Sequence, residues 1–366
     1  MRQSICTKVE DFRLKLCIFA VRNKQKMRLR YFSILLAAFA LLLCVSCKKE
    51  EETKEYMNGS LKLEHSVPAF VMPGETYTFK VSGVTAPDGT AVGYYYTHPV
   101  SGLRDTLKNG MDSFFYEVPD SVGRFTLTFI AFPVESSDKY YVSSATCSFT
   151  TVRDGPVSSS ITGISMNPGD EVVEIDGRSY YVGKSGGLNW MRSNLATVRR
   201  DASGNEVFGR SYMDCKAVQY LFGAYYTWEE AQTACPAGWH LPSDAEWVAL
   251  LKEQGAPEDL QPLQPSPNGA GKLMAKAYFN GNVMWDYYRD VIIQDLMLSA
   301  IPAGYATVSE SGYSFRGYDS YAVFWTSDEH DGMGVYRYIF EQCDDVFVAT
   351  ADKKAFAASV RCVAYR

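Results

Sequence analysis

The chain has 366 residues, 46% of them hydrophobic and 14% aromatic, with 25 Tyr, which excludes a disordered chain and suffices for two ordinary domains. Residues 1–46 carry nine Lys and Arg against two Asp and Glu, so the remainder has 27 basic and 40 acidic residues and a net charge of −13. That balance excludes a nucleic-acid binder, which needs a basic footprint, and a protein that docks on anionic lipid through a polybasic patch.

Residues 27–47 read MRLRYFSILLAAFALLLCVSC. Arg28 and Arg30 form a short basic segment, and Ile34 to Val45 an apolar stretch of signal-peptide length, too short for a comfortable membrane span. The stretch ends in Val45-Ser46-Cys47, which resembles a bacterial lipobox, where a small residue precedes the cysteine that receives lipid. Cys44 stands where Leu is more usual, and bulky Leu43 makes Cys44 itself the poorer acceptor. The expected reading is upstream sequence over 1–26 ahead of a start at Met27, a lipoprotein signal peptide over 27–46, and lipidation at Cys47. Residues 47–58 then form a charged tether, containing KKEEETKE; such a run is ordinarily solvated. An acidic cluster behind the lipid-bearing cysteine also resembles the surface-export signal of Bacteroidetes lipoproteins. The expected location is the outer membrane, surface-exposed, with acyl chains on Cys47 as the membrane contact.

Residues 59–152 show the period-two pattern of strands. Tyr77, Phe79 and Val81 alternate with Thr78 and Lys80, and Phe125, Leu127, Phe129 and Ala131 alternate with Thr126, Thr128 and Ile130. Turn signals at Pro73-Gly74, Pro87-Asp88-Gly89, Lys108-Asn109-Gly110 and Val122-Gly123 separate about seven short strands, which predicts an all-β sandwich. Asp120 to Phe125 resembles the corner before a late strand of immunoglobulin-like domains. Cys147 falls in the last strand and reads as a buried free thiol. Residues 153–165, with Gly155-Pro156 and Ser158 to Ser160, read as a linker.

Residues 166–366 form the second predicted domain. Thr227 with Glu230, and Ser243 with Glu246, have the spacing of capping boxes. Each predicts a helix start, the first with Trp228, Ala231 and Cys235 on one face, the second with Trp247, Leu250 and Leu251. Pro236 stops the first helix and Gly238 allows the turn between them.

These blocks make the region recognisable. Ile175 to Tyr180, Asn189 to Leu195, Tyr226-Thr227-Trp228, Cys235 to Asp244, Glu246-Trp247, Gly271-Lys272-Leu273, Leu298 to Tyr305, Phe324 to Ser327 and Ser359 to Val363 follow one another as in the Fibrobacter succinogenes major paralogous domain, which the region resembles. Asp201–Tyr220 departs from that pattern and reads as an insertion. The resemblance implies an α+β C-type-lectin-like fold, related to the formylglycine-generating fold, behind an immunoglobulin-like sandwich. It also implies a bridge between Cys235 and Cys362. Cys215 and Cys343 remain open as a second bridge or as two free thiols.

The enzyme class finds little support. Formylglycine-generating relatives use a redox-active cysteine pair, whereas Cys235 is assigned to a structural bridge. GxSxG, HExxH and a phosphate-binding glycine loop do not occur, and His240 reads as structural. Asp328, Glu329 and Asp331 around His330 are weak candidate ligands for a hard cation, and a solvated loop is the favoured reading of them; no resident metal or cofactor is expected. Calcium-dependent lectins of the implied fold use Glu-Pro-Asn or Gln-Pro-Asp with Trp-Asn-Asp, and this chain has none of these triplets. The aromatics of the late region suit stacking on sugars or anchoring a protein. The binding candidates are Tyr313, Tyr318 and Tyr321, set among Gly and Ser in loop-like sequence, with Trp285 and Tyr288. The expected function is a non-enzymatic recognition or adhesion module for an extracellular glycan or protein, with a structural envelope or fimbria-associated component and a formylglycine-type enzyme as the alternatives.

Overall fold

A computed structural model of the chain describes residues 54–107, 110–135, 139–154, 159–285 and 292–366. The signal peptide, Cys47 and Tyr288 lie outside the described residues. No helix among those described is long and apolar enough to cross a membrane.

The alternating segments of the first part form strands β1 (Asn58–His65), β2 (Phe70–Val71), β3 (Thr76–Thr85), β4 (Val92–Thr97), β5 (Arg104–Thr106), β6 (Ser113–Glu117), β7 (Gly123–Pro133) and β8 (Ser143–Thr151). They make two sheets, ordered β1-β3-β6 and β2-β8-β7-β4-β5, with β2 parallel to β8. Phe79, Val81, Phe114 and Tyr116 from one sheet meet Tyr96, Leu127, Phe129 and Phe149 from the other in one core. The predicted alternation therefore does its work: one face of each strand is apolar and is buried by the opposite sheet. Cys147 is a buried free thiol.

The second part begins with β9 (Glu171–Ile175), β10 (Arg178–Ser185) and β11 (Leu188–Met191), an antiparallel run completed by the last strand of the chain. A small hairpin of β12 (Arg199–Arg200) and β13 (Glu206–Phe208) follows. The two capping-box segments form helices α1 (Trp228–Ala231) and α2 (Asp244–Glu253), and single-turn helices stand at Gln219–Phe222 and Ala270–Leu273. Both capping boxes are present. Thr227 N donates to Glu230 Oε2 (2.9 Å) while Glu230 N donates to Thr227 Oγ1 (3.3 Å), and Ser243 and Glu246 repeat the exchange at 2.7 and 3.2 Å. Strands β14 (Tyr305–Ser309), β15 (Gly312–Arg316), β16 (Tyr321–His330), β17 (Met333–Phe340), β18 (Val346–Ala351), β19 (Phe356–Ala358) and β20 (Val363–Tyr365) complete the chain. Their sheets run β9-β10-β11-β20, β16-β17-β18, and Tyr226–Thr227 with β19-β14-β15.

Helix α2 lies on one face of the β16-β17-β18 sheet. Its Trp247, Leu250 and Leu251 share a core with Phe324, Ile339 and Val346 of that sheet, and Trp247 contacts Trp190 edge-on at 5.1 Å. Arg337, from the same face of β17, donates to Asp244 at the helix start through Nε (2.6 Å) and Nη2 (2.8 Å), with both side chains buried. Two further buried guanidinium groups hold the irregular segment before β14. Arg192 Nε donates to Met297 O (2.9 Å), and Arg361 Nη1 to Leu298 O (2.6 Å). Arg361 is driven down to about 9 by burial first and then by the neighbouring Arg192 charge. Cys235 and Cys362 are joined in a disulfide across a sequence separation of 127 residues, and Cys215 and Cys343 are both free.

The first sandwich is not loosely strung to the second part; Tyr56–Arg366 is one compact unit. Phe70 of β2 makes edge-on contacts with Tyr212 (6.0 Å), Phe222 (6.1 Å) and Phe279 (6.3 Å). Asn280 Nδ2 donates to Thr151 O at 3.0 Å. The ends of the Gly-Pro-Ser segment are tied together, since Ser160 N donates to Arg153 O (2.7 Å) and Arg153 N to Ser160 Oγ (2.9 Å). Residues 201–220 contribute to this junction through Tyr212, Cys215, Ala217 and Val218.

Candidate functional site

The face of the β16-β17-β18 sheet opposite α2 carries a continuous array of aromatic rings. Period two and the strand register place them there: Tyr321 lies opposite Phe340, Val323 opposite Tyr338, Trp325 opposite Tyr336, and Tyr338 opposite Phe347. Tyr305 of β14 and Phe356 of β19 extend the face sideways. Tyr305, Tyr321, Tyr338, Tyr336 and Phe356 form a closed circuit of ring contacts, at 6.1, 6.3, 5.9, 5.1 and 5.2 Å taken in turn and back to Tyr305. Phe340 stacks on Tyr321 at 4.7 Å and Phe347 on Tyr338 at 5.0 Å, each pair within 17° of parallel. All seven rings are half-buried. Trp325 is buried beneath them, meeting Tyr336 and Phe356 edge-on, and its Nε1 donates to Tyr226 O at 2.7 Å.

This face is free of charge over most of its length. From Tyr336 to Phe340, and over Phe347 to Ala351 on β18, the residues on this face are Tyr, Phe and Ala. Burial, then the nearby hydroxyl of Tyr338, raises the pKa of Tyr336; burial, then Tyr321, raises that of Tyr338. These hydroxyls therefore stay protonated at physiological pH and can both donate and accept. At one end the ring of Trp228 lies against Gly334, where an added Cβ would come within 2.4 Å of the indole. Lys353 lies over that ring, its Nζ 4.6 Å from the centroid, and pairs with Glu329. Cys343 is a half-buried free thiol near Tyr338.

The residues singled out from sequence are distributed differently. Tyr321 is in the array. Tyr313 and Tyr318 are not: they pack in a separate cluster with Tyr212 and Phe315. Tyr313 sits in strand β15, its pKa pushed up to about 12 chiefly by burial, with the Arg210 guanidinium 4.9 Å from its ring centroid. The loop-like composition around these tyrosines is thus that of hairpin strands and their turns. Trp285 is buried in the core, with Nε1 donating to Ala300 O at 2.9 Å, and lies in the wall of a separate cavity with Ala275, Tyr278, Val283 and Ile293. Asp328 and Glu329 belong to strand β16, not to a loop. Asp328 accepts from Asp244 N, Glu329 pairs with Lys353, and Asp331 begins the two-residue turn closing the β16–β17 hairpin. Neighbouring residues of a strand point to opposite faces, so these carboxylates diverge, and the described residues contain no cluster able to hold a metal ion. His240 Nε2 lies 2.9 Å from Glu246 Oε1, and its ring stacks on Tyr365. It thereby braces the residue that caps α2. Tyr336, Tyr338, Phe340 and Phe347 are not among the sequence candidates, although aromatic residues at every second position of β17 are the mark of an aromatic sheet face.

Residues 184–364 match the family model of the Fibrobacter succinogenes major domain (Fib_succ_major), which supports that family for the second part of the chain. The match spans α1 and α2, both cysteines of the disulfide and all seven rings of the array. No curated protein matches the chain.

Proposed function

We propose that the chain is a non-enzymatic recognition module, held at the outer surface of the cell by lipid on Cys47, whose aromatic face binds a glycan. In this reading the first sandwich is immunoglobulin-like, which the parallel pairing of β2 with β8 and the two-sheet core support. The second part is C-type-lectin-like, which the Cys235–Cys362 bridge supports. The sandwich acts as a stiff stalk, since Phe70 keys it into the second part.

The observation that carries the reading is the closed circuit of five half-buried rings with two more stacked on it. Such rings offer flat apolar area with little side-chain entropy to lose, and tyrosine hydroxyls at their rim can serve sugar hydroxyls. Among the described residues, Tyr, Phe and Ala make up most of this face, and the thiol of Cys343 beside Tyr338 has no hydrogen bond to a carboxylate or imidazole of the kind that acid–base or nucleophilic chemistry uses.

The test is a glycan array probed with the full chain in detergent, followed by affinity measurements with Tyr336→Ala and Tyr338→Ala. Removing one stacking ring should weaken binding by about tenfold or more, on the order of a hot-spot side chain. Binding to proteins but to no glycan, or glycan binding untouched by both substitutions, would overturn the reading.

A further inference from the structure

A concave site, lined by none of the seven rings, lies beside the β9–β10 turn. It is a cavity of about 380 Å³, within the range of small-molecule sites, about 300–1,000 Å³. Its wall includes Arg178, Arg199 and Arg200, together with Asp176, Gln219 and Tyr220. The outer wall comes from the inserted segment, through Gln219 and Tyr220.

The three arginines are committed to different degrees. Arg200 Nη2 donates to Glu206 Oε1 (2.6 Å) and Gln219 Oε1 (2.8 Å), and Gln219 Nε2 donates to Ala196 O (2.6 Å), so this group belongs to the wall. Arg178 and Arg199 have no carboxylate at salt-bridge distance among the described residues. Aromatic rings hold them instead. The Arg178 guanidinium carbon lies 5.2 Å from the Tyr220 ring centroid and 5.4 Å from that of Tyr180, and that of Arg199 lies 3.6 Å from the Phe208 centroid. Cation–π contact fixes a guanidinium plane while leaving its terminal N–H donors free. The two-residue turn Asp176-Gly177, with φ of 51° and 76°, sets Arg178 on a rigid hairpin shoulder. The one carboxylate of the lining, Asp176, accepts from the Thr197 hydroxyl at 2.8 Å.

Two arginines without a carboxylate partner among the described residues, both in the lining of one cavity, run against the strongly acidic balance of the chain beyond residue 46. An arginine fork matches the paired oxygens of a carboxylate or sulfate, and the exposed Tyr220 ring beside it offers a flat surface for a sugar ring. We propose that this cavity binds an acidic monosaccharide unit, a pyranose carrying a carboxylate or sulfate, with Arg178 and Arg199 on the anionic group and Tyr220 against the ring. The site goes beyond the aromatic face, which would take neutral sugar surface. The two are separable, because substitutions at Tyr336 or Tyr338 leave this cavity intact.

The test is calorimetric titration of the full chain at low salt with galacturonate, galactose 6-sulfate, galactose and inorganic sulfate. Binding of either acidic sugar with none of galactose, weakening as salt rises, is the expected result. Arg199→Gln and Tyr220→Ala should each weaken that binding by about tenfold, as loss of a charge-assisted contact or of a stacking ring implies. Arg199 and Tyr220 are exposed, so both variants keep the fold, which thermal unfolding verifies. Failure of both acidic sugars to bind, equal binding of inorganic sulfate, or unchanged affinity in both variants would overturn the proposal. None of these results bears on the aromatic face.

Discussion

The bond between Asp244 and Arg337 should be strongly coupled, and a double-mutant cycle measures this. Asp244 is the first residue of α2, and its carboxylate accepts from Arg337 Nε (2.6 Å), Arg337 Nη2 (2.8 Å) and Leu263 N (2.7 Å). Both side chains are inaccessible to solvent, at 0% and 1% exposure, so water cannot replace a lost partner. Asp244→Ala leaves a guanidinium buried with only Gln264 O as acceptor. Arg337→Met leaves the carboxylate buried with one backbone donor. Each single change should cost about 3–5 kcal/mol, the usual result of stranding one member of a buried pair. The double variant strands neither charge, so its loss should fall short of the sum of the singles by about 2–3 kcal/mol. Urea unfolding of the four proteins, with unchanged denaturant slope, gives the numbers. Losses that add to within about 0.5 kcal/mol would refute the coupling, and with it the view that this pair clamps α2 to the sheet bearing the aromatic face.

Further outcomes follow from the same geometry. Replacing Cys362 by Ala opens a loop of 127 residues, which the chain-entropy relation values at about 5 kcal/mol; a fall in unfolding free energy below about 1 kcal/mol would contradict a stabilising bridge. Gly334→Ala forces a methyl group to within 2.4 Å of the Trp228 ring, so it should cost about 1–3 kcal/mol by overpacking. It should also shift tryptophan emission as the Nε1 bond to Thr326 O (3.0 Å) is lost, and unchanged emission would show the ring is not seated there. Tyr116 and Tyr313 are raised to about 12 by burial from an ordinary value of 10.0. The unfolded chain therefore loses these protons first: their contribution to stability is whole below about pH 10 and is lost as pH rises through about 12. The Tyr116→Phe, Tyr313→Phe double variant should flatten that decline, and an equally steep fall in urea midpoint would count against the assignment.

Local signals in the chain were sufficient wherever one short segment decides its own conformation. The strand alternation of Tyr77 to Val81 and of Phe125 to Ala131, and the two capping boxes, depend on neighbours within a few residues, and the helix starts and sandwich strands stand where those signals put them. The Cys235–Cys362 bridge was readable only through the resemblance to the family, since spacing alone pairs no cysteines. Exposure could not be read in the same way. Trp285 and Tyr321 are both aromatic residues of the late region, yet one fills the core and the other faces outward, because burial depends on which distant strand packs above each ring. The aromatic array needs strands β14, β16, β17, β18 and β19 in register, and the arginine cavity needs Gln219 and Tyr220 folded against the β9–β10 hairpin. Both sites are assembled from residues brought together by long-range pairing, where a shift of one residue would turn every ring to the opposite face. The two-residue period of the chain selects the strands, and the register between them selects the surface.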